Sequence, residues 1–284
     1  MQSRLHRWNT SDATALSRKV TEAPVVVFDV DGTLAVSRKP VSRSIAKSLC
    51  ALLSGGKWLA IVGGGSLSRI QAQVVQHLPC RHLEHLVLCP LSGAELYVFR
   101  GNHPHAMYRH TLTRAEVRTI QRAFHKTMEV CGHTPQQVWG PLIENRGSQV
   151  TFSALGQDAP LAAKRRWNER NDLRPCLVQA LRTLLKRRYE IRMGGLTSID
   201  ITVRGIDKAY ALHRLSKVTG VPVSRMVYVG DALYPQGNDA PVLRTRATSV
   251  WVSSPRETLL LLRGTLALLA PQSQRQRHPK RNPR

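Results

Sequence analysis

Acidic and aromatic side chains are scarce in this sequence, and long apolar runs are missing from it. The 284 residues include 18 Asp and Glu against 42 Lys and Arg, which gives a formal net charge of +24. Aromatic residues make up 5% of the chain, so a core must rest on aliphatic side chains. The best candidate for a membrane span, residues 258–270, is interrupted by Arg263 and is shorter than the roughly 18 residues that a span needs. We therefore expect no membrane partner.

The basic excess has two interpretations. It can serve a polyanionic partner or an anionic substrate, or it can be the solvated surface of an arginine-rich chain. The basic residues are scattered, and no aromatic residues are interleaved among them to stack on bases. We therefore expect no nucleic-acid partner. The basic tail, residues 271–284, is predicted to be disordered, with at most weak and salt-dependent contact to nucleic acid or acidic lipid.

The cysteines lack the spacing of a metal site, and their number is odd. They are Cys50, Cys80, Cys89, Cys131 and Cys176. The absence of a CxxC pair argues against a zinc site, and the odd number argues against a disulfide framework. This composition predicts a reducing, cytoplasmic location.

Short apolar strands alternate with helical patterns near the start of the chain. Val25–Phe28 is a β-branched run that precedes an Asp-Gly turn, and residues 58–62 form a second such run. Between them, residues 42–53 carry apolar side chains at helical spacing, and glycines follow. Strand, helix, strand is typical of a parallel sheet, so the predicted fold class is α/β.

The pattern changes in the middle of the chain, which predicts two domains. Residues 23–90 and 193–270 are predicted to form a parallel core, and residues 91–192 an inserted mixed α/β domain. Residues 1–22 are basic and lack the apolar segment of a secretory signal, so we expect a disordered extension. A transit peptide is the alternative, which Asp12 disfavours.

Two aspartates follow the first apolar strand, in the stretch VVVFDVDGTL. Asp29 and Asp31 lie at its carboxyl end, where open parallel sheets collect ligands. Two carboxylates on the same side of a strand repel each other unless a cation lies between them, and Mg²⁺ is the hard cation that suits oxygen ligands. An exposed Asp-Gly turn is the alternative, and this motif alone does not separate the two.

A second acidic cluster, YVGDALYPQGND, follows another apolar strand. It places Asp231 at that strand's carboxyl end, where the side chain can complete a metal site with Asp29. Asn238 and Asp239 follow after a Pro-Gly loop and are predicted to support the site. Asp239 can bind the metal or orient Lys208, whereas Asn238 is also compatible with an ordinary loop position.

These segments together resemble the haloacid dehalogenase superfamily. FDVDGTL, the helix-opening lysine of DKAYAL, and VGDALYPQGND occur in that superfamily's order and spacing. Its members are mostly Mg²⁺-dependent phosphotransferases with a Rossmann-like core. The long insertion resembles the α/β cap of the subgroup that contains phosphomannomutases and sugar-phosphate phosphatases. The resemblance covers residues 25–252, and it implies a Rossmann-like core of parallel strands with an inserted cap.

The resemblance implies a role for each matching residue. Asp29 corresponds to the nucleophile that becomes an aspartyl-phosphate, and Asp31 to the general acid and base. Asp29, Asp31 and Asp231 correspond to the ligands of Mg²⁺, Asp31 through its backbone carbonyl. Lys208 would offset negative charge on the phosphoryl group and the nucleophile.

The second motif departs from the superfamily pattern. That pattern has a Thr or Ser at the end of the second strand, whereas this sequence reads IVGGGS. The candidates for binding the phosphoryl group are therefore the amides of Gly64 and Gly65 and the hydroxyl of Ser66, together with Lys208. Ser66 is equally compatible with capping the next helix.

The predicted insertion resembles a phosphomannomutase cap in two segments. IENRGSQVTFSALGQ places Arg146 on the first arginine of a cap motif, Gln157 on the second and Lys164 on a later one. RMGGLTSIDITVRGIDK places a serine and an aspartate on sugar-hydroxyl contacts. The implied substrate-binding residues, including one from the core, are Arg38, Arg146, Lys164, Ser198 and Asp200. Arg146 is also compatible with an ordinary surface arginine. Ser198 and Asp200 are also compatible with the solvated face of an alternating strand.

Gln157 bears on the function because an amide does not replace a bidentate guanidinium. A mutase must hold a bisphosphate in two orientations, and a monophosphate hydrolase need not. The expected function is therefore a Mg²⁺-dependent phosphatase acting on a small phosphorylated metabolite, by resemblance a sugar phosphate. The alternatives are a phosphomannomutase-type phosphotransferase and a catalytically weak protein that binds an anionic partner. Mutase members often pair through their caps, so the resemblance is compatible with a homodimer formed through the cap.

Overall fold

The structure is a computed structural model that describes residues 5–9, 11–170 and 172–270. The prediction for the tail at 271–284 lies outside these residues. The strands are β1 (Leu5–Arg7), β2 (Val25–Phe28), β3 (Trp58–Val62), β4 (Leu86–Cys89), β5 (Glu95–Arg100), β6 (His103–Arg109), β7 (Ile143–Asn145), β8 (Gln149–Ser153), β9 (Tyr189–Gly194), β10 (Ser198–Val203), β11 (Met226–Gly230) and β12 (Thr248–Trp251). The α-helices are α1 (Ala13–Glu22), α2 (Arg43–Ser54), α3 (Leu67–Gln73), α4 (Arg114–Val130), α5 (Leu161–Arg170), α6 (Arg174–Leu185), α7 (Lys208–Thr219) and α8 (Pro255–Leu269). None of these described helices is long and apolar enough to cross a membrane.

The larger of two sheets has the strand order β1-β12-β11-β2-β3-β4-β5-β6. The pairs from β1 to β4 are parallel, and β5 and β6 add an antiparallel hairpin at one edge. We call this the large sheet. Strand β2 lies at its centre between β11 and β3, so the segments after β2 and β11 leave the sheet side by side.

Strand β2 shows why an apolar run becomes a central strand. Val26 and Phe28 pack in one apolar cluster with Leu49 of α2, whereas Val25 and Val27 pack in another that includes residues of α7. Successive side chains of a strand point to opposite faces, and here both faces are covered. The strand is therefore apolar without alternation, as the parallel α/β prediction requires.

The smaller sheet is antiparallel, in the order β7-β8-β10-β9, and we call it the small sheet. One face packs on α4 and α6, where Phe152 of β8 and Ile199 of β10 join a core with Phe124 of α4. The intervening residues, among them Thr151 and Asp200, form a polar face on the other side. The α/β class, with a second small antiparallel sheet, is confirmed.

Sheet membership shifts the predicted domain boundaries. The predicted insertion at 91–192 includes β5 and β6, but both strands extend the large sheet. The predicted core segment at 193–270 begins with the end of β9 and with β10, but both strands belong to the small sheet. Apolar alternation identifies a strand and gives no indication of its partner, so these boundaries could not be placed from the pattern.

The predicted disorder of residues 1–22 is wrong for the part that the structure describes. Strand β1 pairs with β12 at the edge of the large sheet, and α1 packs against α8. Leu16 and Val20 of α1 are buried in the main core. These two residues are four apart, which places them on one face of a helix. The basic residues between them obscured this apolar stripe.

The expectation that the chain has no disulfides is also wrong. Cys50 of α2 bonds to Cys80, and Cys131 at the end of α4 bonds to Cys176 of α6. Cys89 of β4 is a free, buried thiol. The paired residues are 30 and 45 positions apart, so their proximity arises from tertiary packing that spacing does not reveal. The cytoplasmic location, inferred from the same cysteines, loses this support and stays a prediction.

Candidate active site

The acidic residues after β2 and β11 converge at the carboxyl end of the large sheet. Asp29, Asp231 and Asp239 each place a carboxylate oxygen within 4.8 Å of the others. Asp29 follows β2 and Asp231 follows β11, and the two strands pair directly. Adjacent parallel strands therefore deliver distant sequence segments to a single site.

Lys208, the first residue of α7, lies in the middle of this cluster. Its Nζ donates to Asp29 Oδ1 and to Asp239 Oδ1, each at 2.5 Å, and the lysine side chain is fully buried. Asp239 also accepts hydrogen bonds from the Tyr228 hydroxyl and the Ala232 backbone amide. Asp239 therefore orients Lys208, one of the two roles expected for it. We call the three aspartates and Lys208 the acidic wall.

Burial and the charges of neighbouring groups shift the pKa values of residues in the acidic wall. Burial raises the pKa of Asp29 well above its usual value against the opposing effect of Lys208, and Asp239 and Asp231 raise it further. Burial, followed by the charge of Asp239, raises the pKa of Asp231 to about 6. Burial alone would lower the pKa of Lys208, but the carboxylates of Asp239 and Asp29 outweigh it and raise that pKa.

The donor set fits a hard divalent cation. Three carboxylates face one lysine, so the ionised cluster carries excess negative charge in a buried place. Carboxylate oxygens are the ligands that Mg²⁺ prefers, and a cation would offset this repulsion. Asp29 and Asp231 would hold it. The Asp31 carboxylate faces elsewhere: its Oδ1 accepts from the Arg38 amide at 2.9 Å and the Gln73 side chain at 3.1 Å. Only the backbone role predicted for Asp31 on the metal is compatible with this geometry.

Gly32 and Thr33 shape the turn beneath the acidic wall. Gly32 has φ +92°, and a Cβ added there would lie 2.3 Å from Asp231 Oδ2. Only glycine meets both requirements without strain. The Thr33 hydroxyl donates to Asp231 Oδ1 at 3.1 Å, so the first motif directly orients the second.

The glycine loop after β3 lies beside the acidic wall. Gly64 and Gly65 line the cavity described below. Ser66 does not line it: its hydroxyl accepts from the Arg69 amide at 3.4 Å and caps α3. This contact favours the helix-cap interpretation of Ser66. Backbone amides of Leu91 and Ser92 donate to the carbonyls of the loop and hold its shape.

A cavity of about 700 Å³ lies between the acidic wall and the polar face of the small sheet. Its opposite side carries three cations gathered around Gln157. The side-chain oxygen of Gln157 accepts from Arg146 Nη2 at 3.1 Å and from Arg38 Nη2 at 3.3 Å. The backbone oxygen of Gln157 accepts from Lys164 Nζ at 3.2 Å. We call these four residues the cationic wall.

The other two predicted substrate residues also line this cavity. Ser198 and Asp200 lie on the polar face of β10. Asp200 Oδ1 accepts from the side chains of Gln149 and Thr151, both at 2.8 Å, and burial raises the pKa of Asp200. A Cβ on Gly64 would lie 3.4 Å from Asp200 Oδ2, so the two sheets approach closely here.

Burial and repulsion between like charges lower the pKa values of two residues in the cationic wall. Burial, then the charges of Arg38 and Arg69, lower the pKa of Lys164 to about 8. Burial is also the largest cause of the lowered pKa of Arg38, followed by the charge of Arg69. An anion in the cavity would relieve this repulsion.

Several residues that shape the site were missed from the sequence. They are Gln73, Tyr228, Gln149, Thr151 and Arg174. Tyr228 stands in the second acidic motif, and the period-2 alternation of β8 placed Gln149 and Thr151 on one face, so signals for these three existed. Arg174 lines the cavity and donates to Gly195 O at 2.7 Å, and neither it nor Gln73 belongs to a recognisable motif.

The fold, the acidic cluster and the family match place the chain in the haloacid dehalogenase superfamily, whose enzymes are phosphotransferases and phosphatases. More narrowly, the chain belongs to the eukaryotic phosphomannomutase family, whose sequence profile matches residues 53–268. The profile match begins after Asp29 and Asp31, so the first motif lies outside it. The match is to phosphomannomutases, and the expectation of a phosphohydrolase is not confirmed.

Similar proteins include two named phosphomannomutases. The Schizosaccharomyces pombe phosphomannomutase is 26% identical over 260 residues, covering 84% of this chain and 93% of that protein. The human phosphomannomutase 1 is 25% identical over 267 residues, covering 87% and 93%.

Solved structures share the fold at low identity. A truncated, IMP-bound Plasmodium falciparum IMP-nucleotidase superposes with a TM-score of 0.66 at 15% identity, over 90% of this chain and 71% of that one. A Streptococcus mutans protein gives 0.60 at 15% identity, over 87% and 100%.

Proposed function

We propose that this protein is a phosphomannomutase-type phosphotransferase, which moves a phosphoryl group between two positions of a hexose phosphate. Family membership supports the reaction class. The observation that carries the proposal is the pair of oppositely charged walls that face each other across one cavity. A phosphoryl group reacts at the acidic wall, and a second phosphate on the same sugar is held at the cationic wall.

The acidic wall supplies the nucleophile. An oxygen of Asp29 attacks one phosphorus of a hexose bisphosphate, the bond from that phosphorus to the sugar oxygen breaks, and an aspartyl-phosphate and a hexose monophosphate form. Asp31 donates a proton to the leaving sugar oxygen and later accepts one from the hydroxyl that takes the phosphoryl group back. Mg²⁺, when held by Asp29 and Asp231, supplies positive charge that lets one anion approach another.

Lys208 and Asp239 keep the nucleophile in place. The ammonium of Lys208 binds one oxygen of Asp29 and so favours its ionised form, which burial otherwise disfavours. Asp239 fixes Lys208 from the other side. The amides of Gly64 and Gly65 are the proposed donors to the transferred phosphoryl oxygens.

The cationic wall binds the phosphate that is not transferred. Arg38, Arg146 and Lys164 provide three positive charges, and Ser198 and Asp200 offer contacts for sugar hydroxyls. A cavity of about 700 Å³ is in the size range of small-molecule sites. A mutase needs this second anion site because its substrate binds in two orientations.

A sugar-phosphate phosphatase is the second candidate, and Gln157 favours it. The resemblance places an arginine at this position, so the wall has one cation fewer than the mutase pattern. Three cations suffice for a monophosphate that is hydrolysed once.

The test supplies mannose 6-phosphate and Mg²⁺, with and without a hexose 1,6-bisphosphate. Mannose 1-phosphate and free inorganic phosphate are measured in the same reaction. We expect mannose 1-phosphate, with its formation stimulated by the bisphosphate. Phosphate release alone would support the phosphatase, and the absence of both products across hexose phosphates would overturn the proposal.

Replacing the nucleophile provides the specific control. We expect Asp29→Asn to lower turnover by at least about 10³-fold while the protein stays folded, because the variant loses the attacking carboxylate and retains the shape of the side chain. Asp12→Asn makes the same chemical change at an exposed position and should retain full activity. Near-native turnover of Asp29→Asn would show that another group is the nucleophile.

A further inference from the structure

Gln157 joins the two sheets through a single oxygen. The residue is 4% exposed and lies between β8 and α5. Its side-chain oxygen accepts from Arg38, in the loop after β2 of the large sheet, and from Arg146, in the turn between β7 and β8 of the small sheet. Arg146 also donates to Gly64 O at 3.2 Å, across the same boundary. Gln157 therefore stands where the small sheet closes on the large one.

The contacts determine which way the amide points. The Oε1 atom faces two guanidinium groups, so a flipped amide would direct its own N–H groups at other donors. In the observed orientation, the Nε2 atom is buried and has no partner among the described residues. Leaving a buried donor unpaired is unfavourable, because the N–H group has lost its hydrogen bonds to water. Gln157 lines the cavity, so an oxygen of a bound ligand is a partner that the site can supply.

We propose that Gln157 is a specificity-determining positioning residue, which aligns Arg38 and Arg146 on one oxyanion of the substrate. The proposal rests on the proposed function only for identifying that oxyanion as the non-transferred phosphate. A neutral amide suits this role because it holds two guanidinium groups together without itself neutralising their charge. A carboxylate would neutralise that charge, and a cation would push the arginines apart.

The surrounding charges favour an anion as the ligand of the aligned arginines. Arg146 pairs with Glu144 at 2.7 Å, but Arg38 has no carboxylate partner for its side chain among the described residues. Lys164 adds a buried ammonium bound to the backbone of Gln157. Two guanidinium groups thus meet at the bridging side-chain oxygen, and the Lys164 ammonium lies at the backbone oxygen of the same residue. A phosphate group, with its several oxygens, would bind these donors more strongly than the amide does.

The experiment measures binding by calorimetry with the full chain, Mg²⁺ and mannose 6-phosphate. Gln157→Glu preserves the shape and adds a negative charge, so we expect the affinity to fall by at least about tenfold. Gln157→Met removes the bridging oxygen, and we expect a fall of about threefold to tenfold. Gln136→Glu adds the same charge at an exposed position and should bind like the unaltered protein.

A double-mutant cycle separates positioning from general stability. The variants are Gln157→Met, Arg38→Met and the double change. If Gln157 acts by aligning Arg38, the two losses of affinity will be markedly less than additive. Additive losses would overturn the proposal, and so would a Gln157→Glu variant that binds like Gln136→Glu. The measured quantity is affinity and not activity, so failure of the mutase assay leaves this test intact. If Gln157→Glu does not fold, the cycle still decides.

Discussion

The two walls of the cavity are built on different physical principles. In the acidic wall, Asp29, Asp239 and Lys208 are buried, and short contacts around Lys208 and Asp239 hold them in place. The cationic wall includes arginines from loops and turns that are gathered around one amide. In the reaction that we propose, the first arrangement fixes the reacting carboxylate, and the second binds a substrate that has to turn between two orientations. If the acidic wall serves the chemistry and the cationic wall serves binding, changes to the two walls should have separable effects.

Lys208→Met should produce the largest effect. It leaves the carboxylates of Asp29 and Asp239 buried without their counter-charge, which costs about 3–5 kcal/mol of unfolding free energy. Denaturant unfolding measures this loss, and we expect turnover to be abolished as well. Lys217→Met, on an exposed part of the same helix, is the matched control. Unchanged stability of Lys208→Met would show that the acidic wall does not depend on this ion pair.

Each sheet has a disulfide beside it, so removing a disulfide tests how much it stabilises that part of the fold. Cys131–Cys176 links the helices behind the small sheet, and Cys50–Cys80 lies beside the large sheet. We expect the double change of Cys131 and Cys176 to alanine to cost about 2–4 kcal/mol, because the unfolded chain gains freedom. Thermal unfolding with and without a thiol reductant measures the effect. Cys89→Ala should preserve the full response to reductant, and a response lost in that variant would contradict the pairing.

Gly32→Ala probes the geometry beneath the acidic wall. The φ of +92° and the approach to Asp231 Oδ2 both oppose a side chain here. Gly56→Ala is the matched control, since Gly56 has φ +79° but open space around it. We expect Gly32→Ala to cost about 1–3 kcal/mol more than the control in denaturant unfolding. Equal costs would mean that Asp231 moves freely, and the acidic wall would then be less rigid than we infer.

Deprotonation of Lys164 at high pH should give the smallest effect, a change in substrate affinity that involves only the cationic wall. Its pKa is lowered to about 8 by burial and by Arg38 and Arg69, with Asp158 and Asp31 opposing. The ammonium is charged below that pH and neutral above it, so affinity for mannose 6-phosphate should fall a few-fold between pH 7 and pH 9.

Calorimetry across this pH range measures the effect, with Lys164→Arg as the control. The guanidinium keeps its charge, and the variant should show a flat profile. A decline of equal size in both proteins would assign the titration to another group.

The sequence contained much of the acidic wall in readable form. The aspartates stand next to apolar runs, and the rule that ligands collect at the carboxyl ends of parallel strands suggested where Asp29 and Asp231 would lie. The cationic wall was readable only through resemblance, because Arg38, Arg146 and Lys164 are three among many basic residues. Nothing in the pattern indicated that Gln157 would hold them together.

The sequence by itself determined the class of fold and the order of the acidic motifs, because buried strands and tight turns leave a local periodicity in the chain. Tertiary structure alone decided which strands shared a sheet, which cysteines bonded and which basic residues met across the cavity. Those outcomes depend on contacts between segments far apart in sequence, and no local pattern encodes the partner of a contact.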